Sequence, residues 1–359
     1  MTPYFIMITA TIFFMIIAQM ARNRREQDTP ISPGNLPWSV RILLFFAVMP
    51  LILTAGLRYQ IGTDFGAYYK AEEVFGGHAW DSLRTLNEPG LPVLTEIISW
   101  FSHDGAVYIF TFSMLIVGLS TFSILKYSDG YIFAILLYVF CGLWHGAFNG
   151  VRQYLAATVL LLGHRFILDR KLWKYLLTVF TAFCFHASAI VMIVPFFVMR
   201  NRISLRNVLL LAIGTLLVSL NYESLFSLIG FLKEKDIVMN NYATASVNIL
   251  RVLANTAPAV LAIILYWNKE PDAEQTFYLN GLIINAAAMI ASANSTYLAR
   301  VSIYTSFFLP LGLSKLLRLE DKFLEQTLRG LTTLLFAVFW YVEVSGHPAL
   351  NPFVWVFDR

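Results

Sequence analysis

Four arginines of this 359-residue chain lie at the ends of long apolar runs, where few other charges occur. Arg58 closes one run, and Arg152 lies one turn into another. Arg251 and Arg300 lie near the starts of two later runs. A guanidinium group binds phosphate through paired hydrogen bonds and keeps its charge in a partly desolvated site. The pattern predicts a site for a ligand with concentrated negative charge, such as the diphosphate of a lipid carrier.

Some of these positions also fit a structural role. Arg58 could be an interfacial arginine that buries its apolar stem and extends its charged group to the membrane surface. Asn149, Arg152 and Gln153 share one face at helical spacing, so they either cap a polar turn or bind substrate. Tyr297 precedes the last of the four arginines by three residues, and we predict that it lies on the same substrate-facing stripe.

Two residues are candidates for acid–base chemistry. His186 interrupts the apolar segment 172–199 with no other ionisable group nearby, and its ordinary pKa suits proton transfer at neutral pH. Asp64 follows Gly62 and could either act as the base or orient Arg58. We slightly favour His186 as the base because it lies deeper in its segment, although a structural, hydrogen-bonded histidine is the alternative.

Several tyrosines accompany the charged residues and could stack on sugar rings. Tyr68 and Tyr69 follow Asp64, and Tyr242 lies in the later loop 221–247. Aromatic residues make up 15% of the chain, so some must occupy membrane interfaces in any case.

The sequence lacks the patterns that hold metals, nucleotides or catalytic serines. It has no cluster of metal-ligating His or Cys, no Asp-x-Asp pair on a predicted outer loop, and no phosphate-binding glycine loop. Cys141 and Cys184 both lie inside apolar runs, where they are expected to act as small hydrophobic residues. We expect no cofactor, no bound metal and no nucleic-acid partner.

Composition indicates the elements that must position these residues. The chain is 58% hydrophobic and 13% charged, and its mean hydropathy is +0.65. Because lipid forces backbone polar groups to bond within their own segments, this favours an all-α polytopic membrane protein. We expect a single transmembrane domain over 1–359, with the outer loops 58–88 and 221–247 covering the site.

Positive charge predicts the topology, because Lys and Arg favour the cytoplasmic side. We expect helices in the apolar runs 3–20, 40–57, 105–125, 131–147, 151–168, 172–199 (as a hairpin), 207–220, 248–267, 275–292, 299–316 and 328–344. The short segment 89–102 is expected to be re-entrant or interfacial. This topology has about 12 crossings and places about two thirds of the 26 Lys and Arg residues on the cytoplasmic side. In the alternative topology, 89–102 and 172–199 each cross the membrane once, and the basic residues are divided evenly between the two sides. The first topology places both termini and all four arginines outside.

Four segments resemble motifs of EpsG-like, Wzy-type bacterial polysaccharide polymerases. The segments are RYQIGTDFGAYY, FNGVRQYLAATVLLLG, FHASAIVMIVPFF and YLARVSIYTSFF, in the family's order, over roughly residues 50–310. The resemblance implies a GT-C-like glycosyltransferase of the bacterial inner membrane with its active site on the periplasmic side. It implies functional roles for Arg58, Asp64, Arg152, His186 and Arg300.

The resemblance also implies a reaction and its partners. A growing glycan would pass from one undecaprenyl diphosphate carrier to the sugar end of another lipid-linked repeat unit, in the synthesis of O-antigen or exopolysaccharide. A flippase and a chain-length regulator would be expected partners. The alternatives are a lipid-linked oligosaccharide flippase or other transporter and, with less support, a membrane O-acyltransferase acting on surface glycans.

Overall fold

A computed structural model describes residues 1–28, 36–200, 213–215, 217, 221, 246–295 and 298–359. In these ranges the secondary structure is helical, apart from one isolated antiparallel bridge between Arg58 and Trp355. The α-helices are α1 (Thr2–Asp28), α2 (Trp38–Gly56), α3 (Phe65–Tyr69), α4 (Ala71–Phe75), α5 (Ala79–Thr85), α6 (Gly90–Ser99), α7 (Gly105–Tyr127), α8 (Tyr131–Phe140), α9 (Leu143–Gly146), α10 (Val151–Gly163), α11 (Arg165–Leu168), α12 (Leu172–Phe185), α13 (Ile193–Val198), α14 (Ile249–Tyr266), α15 (Ala273–Ala291), α16 (Ser302–Ser306), α17 (Phe308–Leu316) and α18 (Lys322–Ser345).

Five of these helices are long and apolar enough to cross a membrane: α1, α2, α7, α14 and α18. A sixth span results if α8 and the helical stretch 143–149, which are bent by 49°, are counted together. Large apolar side chains on these helices are exposed, including Phe13, Ile264 and Leu335. Exposed apolar faces on long helices are what a lipid environment requires. The protein is therefore an all-α, multi-pass membrane protein, with five or six candidate spans among the residues that the structure describes.

The chain reverses direction at His186. Helix α12 ends at Phe185, and a 3-10 helix (Ala187–Met192) followed by α13 runs back along it. The Tyr175 hydroxyl donates to the Met192 carbonyl at 2.6 Å, and the Tyr175 ring stacks on Phe196 at 5.7 Å between centroids. His186 therefore lies at the tip of a helical hairpin, as the predicted topology requires.

An ion-pair network ties together the end of the bundle opposite this tip. Lys315 donates to Asp129 at 3.0 Å and lies 3.5 Å from Glu274, which also pairs with Arg165. Arg318 reaches Asp129 at 3.4 Å. The network joins the N-terminal ends of α8, α11 and α15 to the C-terminal end of α17. The predicted topology places Arg165, Lys315 and Arg318 on the cytoplasmic side, and the structure gathers these three residues away from His186.

The C-terminal segment crosses the other end of the bundle and fixes the chain after α2. The backbone N–H of Tyr59 donates to the Val354 carbonyl at 2.9 Å, and that of Gly62 donates to the Ala349 carbonyl at 2.8 Å. Arg359 then forms two hydrogen bonds with Asp104, at 2.9 and 3.0 Å. The Arg359 guanidinium holds the pKa of Asp104 below its ordinary value. The predicted loop 58–88 contains α3 to α5, whereas 221–247 lies almost wholly outside the described residues.

Candidate functional site

A cavity of about 430 Å³ lies at the end of the bundle that holds the His186 tip. Eight of the twelve residues predicted from the sequence to form a site line this cavity: Asp64, Tyr68, Asn149, Arg152, Gln153, His186, Arg251 and Arg300. They come from five separate parts of the chain. The fold therefore brings together polar residues that are far apart in sequence.

The cavity wall includes irregular backbone between α8 and α10. Gly142 has φ +87°, and a 3-10 turn over Ala147–Asn149 joins α9 to α10. The Asn149 side chain accepts a hydrogen bond from the Thr63 N–H at 2.6 Å, which joins this turn to the chain after α2. Non-helical backbone at membrane depth is tolerated where it is buried in protein or lines a polar cavity. The break in the helix thus presents Asn149 and the residues of α10 to the site.

Gly62 lets the chain after α2 approach this turn closely. Its φ is +101°, a conformation that side-chain-bearing residues rarely adopt. A Cβ at this position would lie 2.7 Å from the Phe148 carbonyl oxygen and 2.9 Å from Asn149 Oδ1. Both the backbone conformation and the available space therefore require glycine beside the cavity.

Glu88 joins Arg152 to the histidine hairpin. Arg152 Nη1 donates to Glu88 Oε2 at 2.6 Å, and the Ala187 N–H donates to Glu88 Oε1 at 2.8 Å. His186 Nδ1 lies 3.9 Å from the same Oε1. The Glu88 carboxylate thus balances the charge of the arginine and fixes the backbone next to His186. It was not among the predicted site residues, because its partners are 64 and 99 positions away.

The hydrogen bonds of His186 define its tautomer. Nδ1 accepts from the Ser188 backbone N–H at 3.3 Å and lies 2.9 Å from Ser188 Oγ. Ser188 Oγ in turn lies 2.8 Å from the Tyr304 hydroxyl. Because Nδ1 accepts a backbone hydrogen bond, the neutral imidazole carries its proton on Nε2. Neutral His186 is therefore a donor through Nε2.

Arg58 lies behind the wall of the cavity. Its side chain is 2% exposed, and its guanidinium lies 4.3 Å from the centre of the Phe148 ring. It donates to Ser113 Oγ at 2.7 Å, to the Ile61 carbonyl at 3.2 Å and to the Ala55 carbonyl. The expectation that Arg58 binds a diphosphate directly, or is held by Asp64, does not fit this position. Its donors instead satisfy the carbonyl groups at the end of α2.

Of the three remaining predicted residues, the structure describes only Tyr69, which does not line the cavity. Tyr69 stacks on Phe65 at 5.2 Å and accepts a hydrogen bond from Arg359 at 3.1 Å, so it serves the attachment of the C-terminus. Tyr242 and Tyr297 lie outside the described residues. Tyr68, by contrast, lines the cavity beside Arg152, and burial raises its pKa while the Arg152 charge opposes the rise.

A second charged cluster lines the cavity where α14 meets α18. Arg251 forms an ion pair with Glu343, and the other oxygen of Glu343 lies 3.3 Å from His145 Nε2. His145 Nδ1 is buried and has no hydrogen-bond partner among the described residues. His347 lies on the same wall, and burial, with the nearby Arg251 and His145, lowers its pKa. Sequence reasoning missed Glu343, although an acid inside the apolar run 328–344 is itself a signal for function.

The chemistry available here is that of cations, carboxylates and imidazoles. Among the residues that the structure describes, no group of three or more His, Cys, Asp or Glu side chains could hold a metal ion. Arg152, Arg251 and Arg300 can bind a polyanion, and Asp64 can accept a proton. The fold and the cavity define a multi-pass helical membrane protein with a charged cavity at one end of its bundle.

The comparison with protein families makes this class specific. Residues 41–354 match the model of the EpsG family, so the chain belongs to that family, which is linked to exopolysaccharide synthesis. The matched range contains every residue that lines the cavity. The family resemblance inferred from the four sequence motifs is thereby confirmed. A search of curated proteins and a search of solved structures each found no match.

Proposed function

We propose that the protein is a metal-independent membrane glycosyltransferase that polymerises undecaprenyl-diphosphate-linked oligosaccharide repeat units. The observation that carries this proposal is the cavity in which Arg152, Arg251 and Arg300 meet Asp64 and His186. A diphosphate-linked glycan needs cations for its leaving group and an acceptor for a proton. This cavity offers both, in a protein whose family is linked to exopolysaccharide synthesis.

The arginines act on the donor. In the reaction, the bond between the anomeric carbon of the donor glycan and the diphosphate oxygen breaks, and the lipid diphosphate leaves with the bonding electrons. Arg152 and Arg300, helped by Arg251, stabilise the negative charge that develops on this leaving group. A hydroxyl oxygen at the non-reducing end of the second repeat unit forms the new bond to the anomeric carbon and releases its proton to a base.

Asp64 is the better candidate for that base. His186 Nδ1 accepts a hydrogen bond from the Ser188 N–H, so neutral His186 carries its proton on Nε2. Nε2 is then a hydrogen-bond donor and cannot accept the proton of the sugar hydroxyl. Asp64 lines the cavity, and its carboxylate accepts a hydrogen bond from the Thr63 hydroxyl at 3.2 Å. We therefore assign proton transfer to Asp64 and hydrogen-bond donation, to a phosphate or sugar oxygen, to His186. This reverses the preference derived from sequence alone.

The proposal includes an orientation in the membrane. With both termini and the cavity on the periplasmic side of the inner membrane, the charged network around Asp129 and Lys315 faces the cytoplasm. The proposal also includes the roughly 12 membrane crossings and the GT-C-like architecture that we expected from the sequence. The donor and acceptor then reach the cavity from the outer leaflet.

The test is polymerisation by the purified protein in lipid nanodiscs. Lipid-linked repeat units come from the parent strain after deletion of this gene, and glycan ladders are measured by gel electrophoresis. Arg152→Ala and Arg300→Ala are each expected to reduce ladder formation by about 10²-fold or more, the scale for loss of a charge-stabilising group. Arg84→Ala, an exposed arginine of α5, is the matched control and is expected to leave the rate unchanged.

Ladder formation at the wild-type rate by both Arg152→Ala and Arg300→Ala would exclude this site. The surface glycan of the deletion strain separates the alternatives. Loss of a polymerase leaves single repeat units on the surface, and loss of a flippase leaves none. Loss of an O-acyltransferase leaves full-length chains without acyl groups.

A further inference from the structure

A groove of about 510 Å³ adjoins the central cavity and runs between α14 and α18. Four of its lining residues also line the cavity: Arg251, Ala299, Glu343 and His347. The two spaces are therefore continuous at the Arg251–Glu343 ion pair. A single molecule can place a charged group in the cavity and extend an attached chain along the groove.

Most of the residues that line the groove are nonpolar, and the groove opens towards the surface of the bundle. Leu250 and Val342 line it and are 47% and 50% exposed, and Phe339 contributes an aromatic ring. Further exposed apolar side chains continue along the two helices, at Leu253 one turn from Leu250 and at Leu335 two turns from Val342. Both helices are candidate membrane spans, so these faces contact acyl chains in a membrane.

The ion pair at the junction is suited to an exchange of anions. The Glu343 side chain is 13% exposed, whereas the Arg251 side chain is half exposed and lies between cavity and groove. Glu343 also lies 3.3 Å from His145 Nε2, so its carboxylate keeps a hydrogen-bond partner when Arg251 turns to another anion. A diphosphate arriving at the junction can thus pair with Arg251 without leaving a carboxylate isolated in an apolar wall.

We infer that this groove holds the polyprenyl tail of a diphosphate-linked substrate, with Arg251 holding the diphosphate at the junction. This inference rests on the proposed function, because that function supplies the amphiphilic substrate. The central cavity is of the size that encloses a drug-sized molecule, so a long polyprenyl chain must leave it through an opening. The groove is such an opening, and it leads from the arginine to the lipid-facing surface.

Binding is tested with undecaprenyl diphosphate that carries a benzophenone on its tail and no sugar. The protein is in nanodiscs, and the labelled peptides are mapped after irradiation. Val342→Trp fills the groove, and Leu334→Trp is the matched control, 60% exposed on another face of the same helix. We expect wild-type labelling on α14 and α18 and a loss of about tenfold in Val342→Trp, since the bulky ring displaces an apolar chain. Leu334→Trp should label like the wild type.

Competition identifies the occupant. Untagged undecaprenyl diphosphate should abolish labelling, whereas excess phosphatidylglycerol should not. Labelling that both lipids reduce equally would make the groove a site for bulk lipid and overturn the inference. Labelling that Val342→Trp does not change would also overturn it. The melting temperatures of the two variants, measured in the same nanodiscs, must match before labelling is compared.

A second measurement separates this inference from the proposed function. Val342→Trp should reduce polymerisation of repeat units on the long polyprenyl carrier much more than polymerisation of repeat units carried by a short prenyl diphosphate. If the probe labels the groove of the wild-type protein but that protein forms no ladder with its own lipid-linked repeat unit, the proposed function is wrong and the groove assignment is retained. If the wild type forms ladders and the polymerisation rates of Val342→Trp and Leu334→Trp are equal on both carriers, the groove assignment is wrong and the proposed function is retained.

Discussion

At the scale of single residues, the site is organised by carboxylates that neutralise its cations. Arg152 is paired with Glu88, and Arg251 is paired with Glu343. An unpaired charge in a poorly solvated wall is costly, so each arginine needs an internal partner before a substrate arrives. Arg58 satisfies the same requirement differently, through carbonyl groups, a hydroxyl and an aromatic face. The paired arginines line the cavity, and Arg58 supports it from behind.

Glu88→Gln tests whether the carboxylate positions Arg152 and the histidine hairpin. A glutamine oxygen can still accept from Ala187, but the charge that holds Arg152 is lost. We expect polymerisation to fall by about tenfold to hundredfold, the range set by the free energy of one charged hydrogen bond. The rate of ladder formation is the measurement. Glu73→Gln, with a 71% exposed side chain, is the control, and equal rates in the two variants would contradict the role assigned to Glu88.

His186 should tolerate replacement by glutamine better than by asparagine. If Nε2 donates to the substrate, the longer amide of glutamine can present an N–H near that position, whereas the asparagine amide lies near Nδ1. We expect His186→Gln to retain about tenfold more activity than His186→Asn, and Asp64→Asn to lose about 10²-fold or more as a missing base. Initial rates of polymerisation measure all three. A wild-type rate in Asp64→Asn would return the role of base to His186.

At the scale of elements, breaks in helices place the site. His186 lies where α12 ends and its hairpin reverses, Arg152 lies in the first turn of α10 after a 3-10 turn, and Arg300 lies in the short 3-10 helix before α16. A continuous apolar helix would direct such residues into lipid or bury them among other helices. A break instead places polar side chains and free peptide groups at a cavity.

Gly62→Ala tests the close contact between the chain after α2 and the break before α10. The alanine would adopt φ +101° with its Cβ only 2.7 Å from the Phe148 carbonyl. Gly77→Ala is the control, since Gly77 has φ +72° and nothing within 4 Å of the added Cβ. We expect Gly77→Ala to cost about 1–2 kcal/mol through the backbone alone and Gly62→Ala to cost more. Thermal unfolding in detergent compares them, and equal melting temperatures would show that the contact adds nothing.

At the scale of the whole molecule, charge is divided between the two ends of the bundle. The arginines of the cavity lie at one end, and the network of Asp129, Glu274 and Lys315 lies at the other. In the proposed orientation the first end is periplasmic and the second is cytoplasmic, which satisfies the bias of basic residues towards the inside.

Cysteine labelling in whole cells tests this orientation. In a variant without Cys141 and Cys184, Asp81→Cys is expected to react with a membrane-impermeant maleimide added outside the inner membrane. Glu320→Cys, which is also exposed, is expected to react only after the inner membrane is permeabilised. Labelling of the two positions in the opposite order would invert the topology and place the cavity in the cytoplasm.

The sequence alone determined the membrane class and the family, and it pointed to eight of the residues that line the cavity. Composition requires burial in lipid, and a charge near hydrocarbon marks a site regardless of the exact fold, which is why Arg152, His186 and Arg300 could be recognised. The four motifs, read in order, identified the EpsG family.

Only the tertiary structure decided which charges face each other. Glu88 and Glu343 reach their arginines across 64 and 92 positions of sequence, and no local spacing encodes such pairs. The burial of Arg58 behind Phe148 likewise depends on contact between distant elements. The acceptor role of His186 Nδ1 depends on the path of the turn that follows it. Residue type fixes the chemistry that a side chain can perform, whereas packing fixes its partners, and the partners decide which chemistry is used.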